Sequence, residues 1–122
     1  MKIAIIGASN NKEKYGNKAV RAYKKQGHSV YPVNPREKTI EGLSTYKSIL
    51  DIPGEIERAS IYLPHKIGTI IIEEIAEKGV KEVFLNPGSE SKELIEKAEK
   101  LGLNVIIACS ILDIGEKPQN YK

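Results

Sequence analysis

This chain has no tryptophan, one phenylalanine and one cysteine. A lone Cys109 excludes an internal disulfide and any cysteine-cluster metal site. Two histidines and scattered acids do not assemble a Ser–His–Asp grouping, a carboxylate pair or a metal-ligand cluster. No apolar run approaches the roughly 20 residues that a membrane span needs. No secretory leader is read at the start: Met1 and Lys2 lead straight into a strand-like run that Gly7-Ala8-Ser9 ends. Charge of one sign is also lacking. Nineteen basic residues stand against 16 acidic ones, and they interleave. That argues against the basic face typical of nucleic-acid binders and suits a small anionic ligand. The expectation is a cytoplasmic protein, alone or as a small homo-oligomer, with 1–122 forming one domain.

What is present alternates regularly. Apolar runs at Lys2–Ile6, Ser29–Val33, Ala59–Leu63, Glu82–Leu85 and Asn104–Ala108 read as strands. Between them lie helical patterns at Asn17–Gln26, Tyr46–Leu50, Ile67–Lys78 and Glu90–Leu101. Ala19, Val20, Ala22 and Tyr23 share one helical face, as do Ile67, Ile70, Ile71 and Ile75, and then Leu94, Ile95, Ala98 and Leu101. Gly27, Gly79 and Gly102 are helix stops, and Ser89 is a candidate N-cap. Strands alternating with crossover helices predict an α/β fold: a Rossmann-like, doubly wound, parallel five-stranded sheet with helices on both faces. The polar tail from Gly115 to Lys122 is expected to fray or lie on the surface.

Ligands of such sheets bind outside the carboxyl ends of the strands. After the first strand, Gly7-Ala8-Ser9 permits a tight turn and offers a hydroxyl, with Lys12 and Lys14 close by. A glycine turn leading to a helix start suits a phosphate, though the spacing is not G-x-G-x-x-G. After the second strand, Asn34-Pro35-Arg36 replaces the acid that usually accepts from an NAD ribose. Arg36 and Lys38 suit a phosphorylated ribose instead, as in NADP or in the 3′-phosphorylated adenosine of coenzyme A. After the third comes Pro64-His65, where His65 shapes the wall with no named catalytic partner. After the fourth comes Asn86-Pro87-Gly88, and after the fifth Cys109, expected to be a buried apolar thiol. His28, in a helix-to-strand turn, lies at the opposite edge.

The pieces "IAIIGAS", "GHSVYPVNPR", "IEGLSTYKSILDIP", "VFLNPGSES" and "GLNVIIAC" occur in order along nearly the whole chain. Together they resemble the small single-domain CoA-binding proteins, relatives of the CoA-binding N-terminal domain of succinyl-CoA synthetase alpha subunits. "YPVNPR" is the most specific element. The resemblance implies a site for the ADP part of CoA. Gly7, Ala8 and Ser9 would approach the pyrophosphate, with Lys14 a further candidate. Asn34, Pro35 and Arg36 would flank the adenosine and its 3′-phosphate, and Pro64 and Gly88 would line the cleft. The implied function is binding of coenzyme A or an acyl-CoA in a regulatory or carrier role, without catalytic residues or a metal. The alternatives are a minimal NADP-dependent oxidoreductase and a ligand-free interaction module. Family members often carry an arginine before the cysteine, where this chain has Ala108. On this reading, Gly7→Val abolishes binding while the protein still folds.

Overall fold

The computed structural model describes residues 1–122. Strand β1 (Lys2–Ile6) is followed by helix α1 (Tyr15–Lys25) and strand β2 (Ser29–Val33). A two-residue hairpin, β3 (Thr39–Ile40) and β4 (Leu43–Ser44), and a 3₁₀ turn at Ile49–Asp51 precede β5 (Arg58–Ile61). Then come α2 (His65–Lys78), β6 (Glu82–Leu85), α3 (Lys92–Lys100), β7 (Asn104–Ile107), the short helix α4 (Ser110–Asp113) and a 3₁₀ turn at Pro118–Asn120. The main sheet is parallel throughout, in the order β2-β1-β5-β6-β7. After β2 the chain therefore crosses back over β1 to lay down β5, so the winding reverses between β1 and β5. A crevice opens at such a reversal because the connections leave the strand ends in opposite directions.

Alternation along the strands explains the two-sided core. Ile3 and Ile5 of β1 pack with Ala19, Val20, Ala22 and Tyr23 of α1 and with Ile111 of α4. Ala4 and Ile6 face the other way, toward Ile72 and Ile75 of α2 and Leu94 and Ala98 of α3. Each large side chain fully buried there contributes about 1.5–3 kcal/mol. The α1 face matches the expectation from its spacing. On α2 the buried set is shifted: Gly68, Ile72 and Ile75 point inward, while Ile67 and Ile70 are 45% and 68% exposed. Gly68 sits against Leu94, where an added Cβ would stand 3.0 Å from Cδ2, so the small residue lets α3 approach.

Other expectations need correction. The stretch expected as a Tyr46–Leu50 helix is an extended arm followed by a 3₁₀ turn, because Tyr46 forms a parallel bridge to Val33. Ser91, not Ser89, caps α3, accepting from Leu94 N at 3.1 Å. The tail is tied down: Tyr121 is buried in the α1 face, and Arg21 Nη2 donates to its carbonyl at 2.7 Å. Arg21 and Lys25 also lie over its ring. These contacts depend on side chains of α1 that the tail's own composition does not reveal.

On the α1–α4 face the apolar core is interrupted by polar groups of β5. Arg58, on the α1–α4 side of β5, donates to Glu82 at 2.7 Å, to Asp113 at 2.8 Å and to the Tyr23 hydroxyl at 3.1 Å. Its guanidinium also stacks 4.4 Å from the centre of the Phe84 ring. Burial opposes the charge, but the hydrogen bonds outweigh that and hold Arg58 protonated. Tyr23, its own ionisation pushed up by burial, donates its hydroxyl hydrogen bond to the Ser110 carbonyl at 2.7 Å. Arg58 thus ties two strands to α1 and α4.

Two glycines bring the first loop down onto the sheet. Gly7 has φ +90, and a Cβ there would stand 2.6 Å from the Tyr62 carbonyl oxygen. A Cβ on Gly16 would collide with the Gly7 carbonyl. The space around Gly7 is filled by the protein itself, so Gly7→Val carries a stability cost as well as the expected effect on binding. Gly7→Val and Gly16→Ala should each lower the thermal midpoint by several degrees, consistent with a cost of about 1–3 kcal/mol for strain and overpacking. A midpoint unchanged within a degree would refute this. Arg58→Ala should cost about 2–3 kcal/mol in urea unfolding, because it strands Glu82, Asp113 and Tyr23. A loss below about 0.5 kcal/mol would show the network to be dispensable.

Candidate functional site

At the carboxyl ends of the strands, over the β1–β5 reversal, lies a cleft of about 1340 Å³. Its floor comes from Ile6, Val33 and Ile61, the last residues of three neighbouring strands. The structure brings Gly7, Ala8, Ser9 and Lys14 to one wall and Asn34 and Pro35 beside them. Pro64 and Gly88 belong to the same cleft from the β5 and β6 ends. Arg36 does not: it stands on the exposed turn after Pro35, outside the lining.

The first wall is rich in donors. The backbone N–H groups of Ala8, Ser9, Tyr15 and Gly16 find no acceptor in the chain. Tyr15 and Gly16 open α1, whose first turn has no side-chain cap and no acidic residue. The positive end of that helix is therefore uncompensated. Lys14, Lys18 and Lys47 also line the cleft, against a single acid, Glu13. None of these three lysines forms a salt bridge. Unpaired N–H groups, a free helix start and an excess of ammonium groups together make a wall that attracts anions.

The loop carrying these donors is held by side chains behind it. Asn34 Nδ2 donates to the Ala8 carbonyl at 2.8 Å, while its Oδ1 accepts from the N–H groups of Arg36 and Glu37 at 2.8 and 3.0 Å. Asn34 therefore serves first as a clamp between the β1 and β2 ends. Fully buried Asn17 donates to the Ser9 carbonyl at 2.8 Å and accepts from Arg21 Nε at 2.7 Å. Arg21 in turn holds the Lys12 carbonyl at 2.9 Å. Ser9 Oγ accepts from Asn11 N at 3.0 Å and keeps its proton free to donate.

Away from this wall the cleft turns apolar, with Leu63, Ile71, Leu112 and Pro118 in its lining. Cys109 is half-buried there rather than enclosed in the core, because α4 starts directly after it and leaves it on the rim. His65 opens α2 and is exposed; it is not part of the lining, so no imidazole lies at the cleft. His28 sits at the far edge, with Nδ1 3.3 Å from the amino terminus. Sequence reading missed Lys18, Lys47, Tyr62, Leu112 and Pro118. Lys18 follows from the helix register once α1 starts at Tyr15, but Lys47 reaches the cleft only through the Tyr46–Val33 bridge. Pro118 arrives with the anchored tail.

Comparison with known proteins identifies the family and the fold. The family model described as a CoA binding domain matches residues 1–114. The alpha subunit of an ADP-forming acetate–CoA ligase II from Pyrococcus furiosus is 41% identical over 115 residues, covering 85% of this chain and 25% of that subunit. The chain thus spans about a quarter of that subunit's length. A conserved hypothetical protein from Pyrococcus furiosus superimposes with a TM-score of 0.85 at 35% identity, covering 92% of this chain and 97% of the other. A dinucleotide-forming acetyl-coenzyme A synthetase 1 from Ca. Korarchaeum cryptofilum, solved with phosphate and ADP, gives 0.78 at 28% identity, over 88% of this chain and 25% of that one. No helix of this chain is long and apolar enough to cross a membrane. A doubly wound parallel sheet with an anion-attracting wall at its reversal, matched by the family model over nearly its whole length, makes this chain a member of the CoA binding domain family.

Proposed function

We propose that the cleft binds coenzyme A or an acyl-CoA through its ADP moiety, in a carrier or regulatory role. The observation that carries this reading is the set of unpaired N–H groups at Ala8, Ser9, Tyr15 and Gly16, set at the sheet reversal of a CoA binding domain. A pyrophosphate accepts such donors in place of the water they would otherwise hold. Lys14 and Lys18 add charge along the same wall. Gly7 supports the site by bringing the loop close to β5, and Pro64 and Gly88 shape its far side.

The 3′-phosphate needs a cation near the β2 end, where the ribose lies in sheets of this class. Arg36 was the expected partner; Lys47 is better placed. The Tyr46 carbonyl takes the Asn34 N–H at 2.9 Å, which brings the next residue, Lys47, into the lining beside Asn34 and Pro35. A metal plays no part in this reading, and the lining residues are assigned to binding alone.

Calorimetric titration with CoA, dephospho-CoA and NADPH tests the reading. CoA should bind selectively, and about ten- to a hundredfold more tightly than dephospho-CoA, as for one charge-assisted contact. Lys47→Ala should erase most of that ratio and Arg36→Ala should leave it. The opposite pattern returns the role to Arg36, binding of NADPH alone moves the cleft to a reductase, and silence from all three overturns nucleotide binding.

A further inference from the structure

Between the apolar part of the cleft and the sheet lies a chain of hydrogen-bonded side chains whose proton directions follow from its buried end. It starts at Asn86, which is 2% exposed. Its Oδ1 accepts from the Ser110 N–H at 2.8 Å, and its Nδ2 donates to the Ile61 carbonyl at 2.9 Å and to Ser60 Oγ at 2.8 Å. An N–H on one side and a carbonyl on the other leave the amide a single orientation. Ser60 Oγ is thus an acceptor from Asn86. Ser60 is fully buried, and the one acceptor in hydrogen-bonding geometry for its own proton is Ser110 Oγ at 2.6 Å.

The reverse direction, Ser110 donating to Ser60, would leave the Ser60 proton buried and unpaired, the costlier arrangement. Ser110 therefore accepts from Ser60. Ser110 is itself fully buried, and its proton has one remaining partner, the Tyr62 hydroxyl at 3.1 Å. The Tyr62 oxygen accepts; Ser60 is its other hydroxyl neighbour but does not meet hydrogen-bonding geometry with it, so the Tyr62 proton has no bonded acceptor in the chain. Tyr62 is half-buried, and its open side is the cleft it lines. The chain of bonds runs one way and delivers a single free O–H donor to the ligand space.

Building on the CoA reading above, we infer that Tyr62 reads the ligand beyond its nucleotide, donating a hydrogen bond to a carbonyl oxygen of the tail. The phosphate-binding features stand on the β1–α1 side. Tyr62 packs against the same core cluster as Cys109, and Leu63 and Leu112 share its side of the lining, which suits a neutral tail that carries an isolated acceptor. Burial pushes the Tyr62 hydroxyl well above its ordinary ionisation range, so it remains a neutral donor at physiological pH. Two carbonyl sources share this chemistry: an amide of the pantetheine arm and the thioester of an acyl-CoA.

The test is titration of the unaltered protein and Tyr62→Phe with 3′-phospho-ADP, CoA and acetyl-CoA. Affinity for 3′-phospho-ADP, which lacks the arm, should stay within twofold. Loss of one neutral hydrogen bond should weaken the tailed ligands by roughly three- to tenfold. A loss shared by CoA and acetyl-CoA assigns the contact to an arm amide, and a loss confined to acetyl-CoA assigns it to the thioester. Equal affinities of both proteins for all three ligands, or an equal loss that includes 3′-phospho-ADP, overturns the inference while leaving the CoA reading intact. Failure of the unaltered protein to bind CoA removes both. Ser110→Ala keeps the phenol but removes the donor that fixes its direction. It should give a smaller loss for the same tailed ligands, and an unchanged pattern would again overturn the inference.

Discussion

Everything at the cleft depends on how closely the first loop lies on the sheet. Gly7 turns the chain at the end of β1 with its backbone against the Tyr62 carbonyl, and Gly16 at the start of α1 lies against the Gly7 carbonyl. Neither place accommodates a Cβ. With the loop pressed down this far, the N–H groups of Ala8 and Ser9 find no carbonyl, and α1 starts without a side-chain cap. Donor groups left unpaired in this way are costly, and proteins rarely retain them without a compensating partner. The glycines therefore create the anion-attracting wall indirectly, by packing, rather than by leaving room for the ligand to approach them.

The rest of the loop is arranged to keep that wall in place. Asn34, Asn17 and Arg21 each reach a carbonyl of the segment from Ala8 to Lys12. Asn17 and Arg21 reach from α1 and Asn34 from the β2 end, and between them they occupy the carbonyls of Ala8, Ser9 and Lys12. On the other side of the crevice the polar face of β5 and β6 does the equivalent work. Arg58 anchors α4 through Asp113, and Asn86 takes the Ser110 N–H. The rim residues Cys109 and Leu112 are positioned by this anchoring together with the apolar packing of Ile111 and Cys109. A polar seam is directional, as an oily contact is not, and direction is what a site needs from its supports.

Much of this was legible in the sequence, and the limits have physical causes. The five strands, the α1 face and the Leu94–Ala98 part of the α3 face follow from periodicity, which reports burial directly. Leu101, expected on that face, lies past the helix end and is 41% exposed. The loop after β1 and the proline-anchored turn after β2 were recognisable because glycine and proline constrain the backbone wherever they stand. What failed were features set by distant partners. Tyr46 extends because Val33 offers it a bridge, and that displaces a helix and brings in Lys47. Tyr121 is buried because Arg21, a hundred residues earlier, holds its carbonyl. The α2 face was misread because Ile67 and Ile70 are as apolar as Ile72, and only Gly68 marks where α3 crosses.

The same distinction governs the chemistry of the cleft. Residue types alone offered Asn34, Arg36, His65 and Cys109 as the groups of interest. In the fold, Asn34 is largely committed to clamping, Arg36 and His65 face solvent, and Cys109 sits on the rim. Tyr62 attracted no attention in the sequence because a tyrosine at a strand end is ordinary. Its significance comes from Ser60, Asn86 and Ser110, drawn from three separate segments, which between them use every proton but one. Hydrogen-bond direction is a property of the assembled network, and a site built on it becomes visible only when the network is traced from its most constrained member outward.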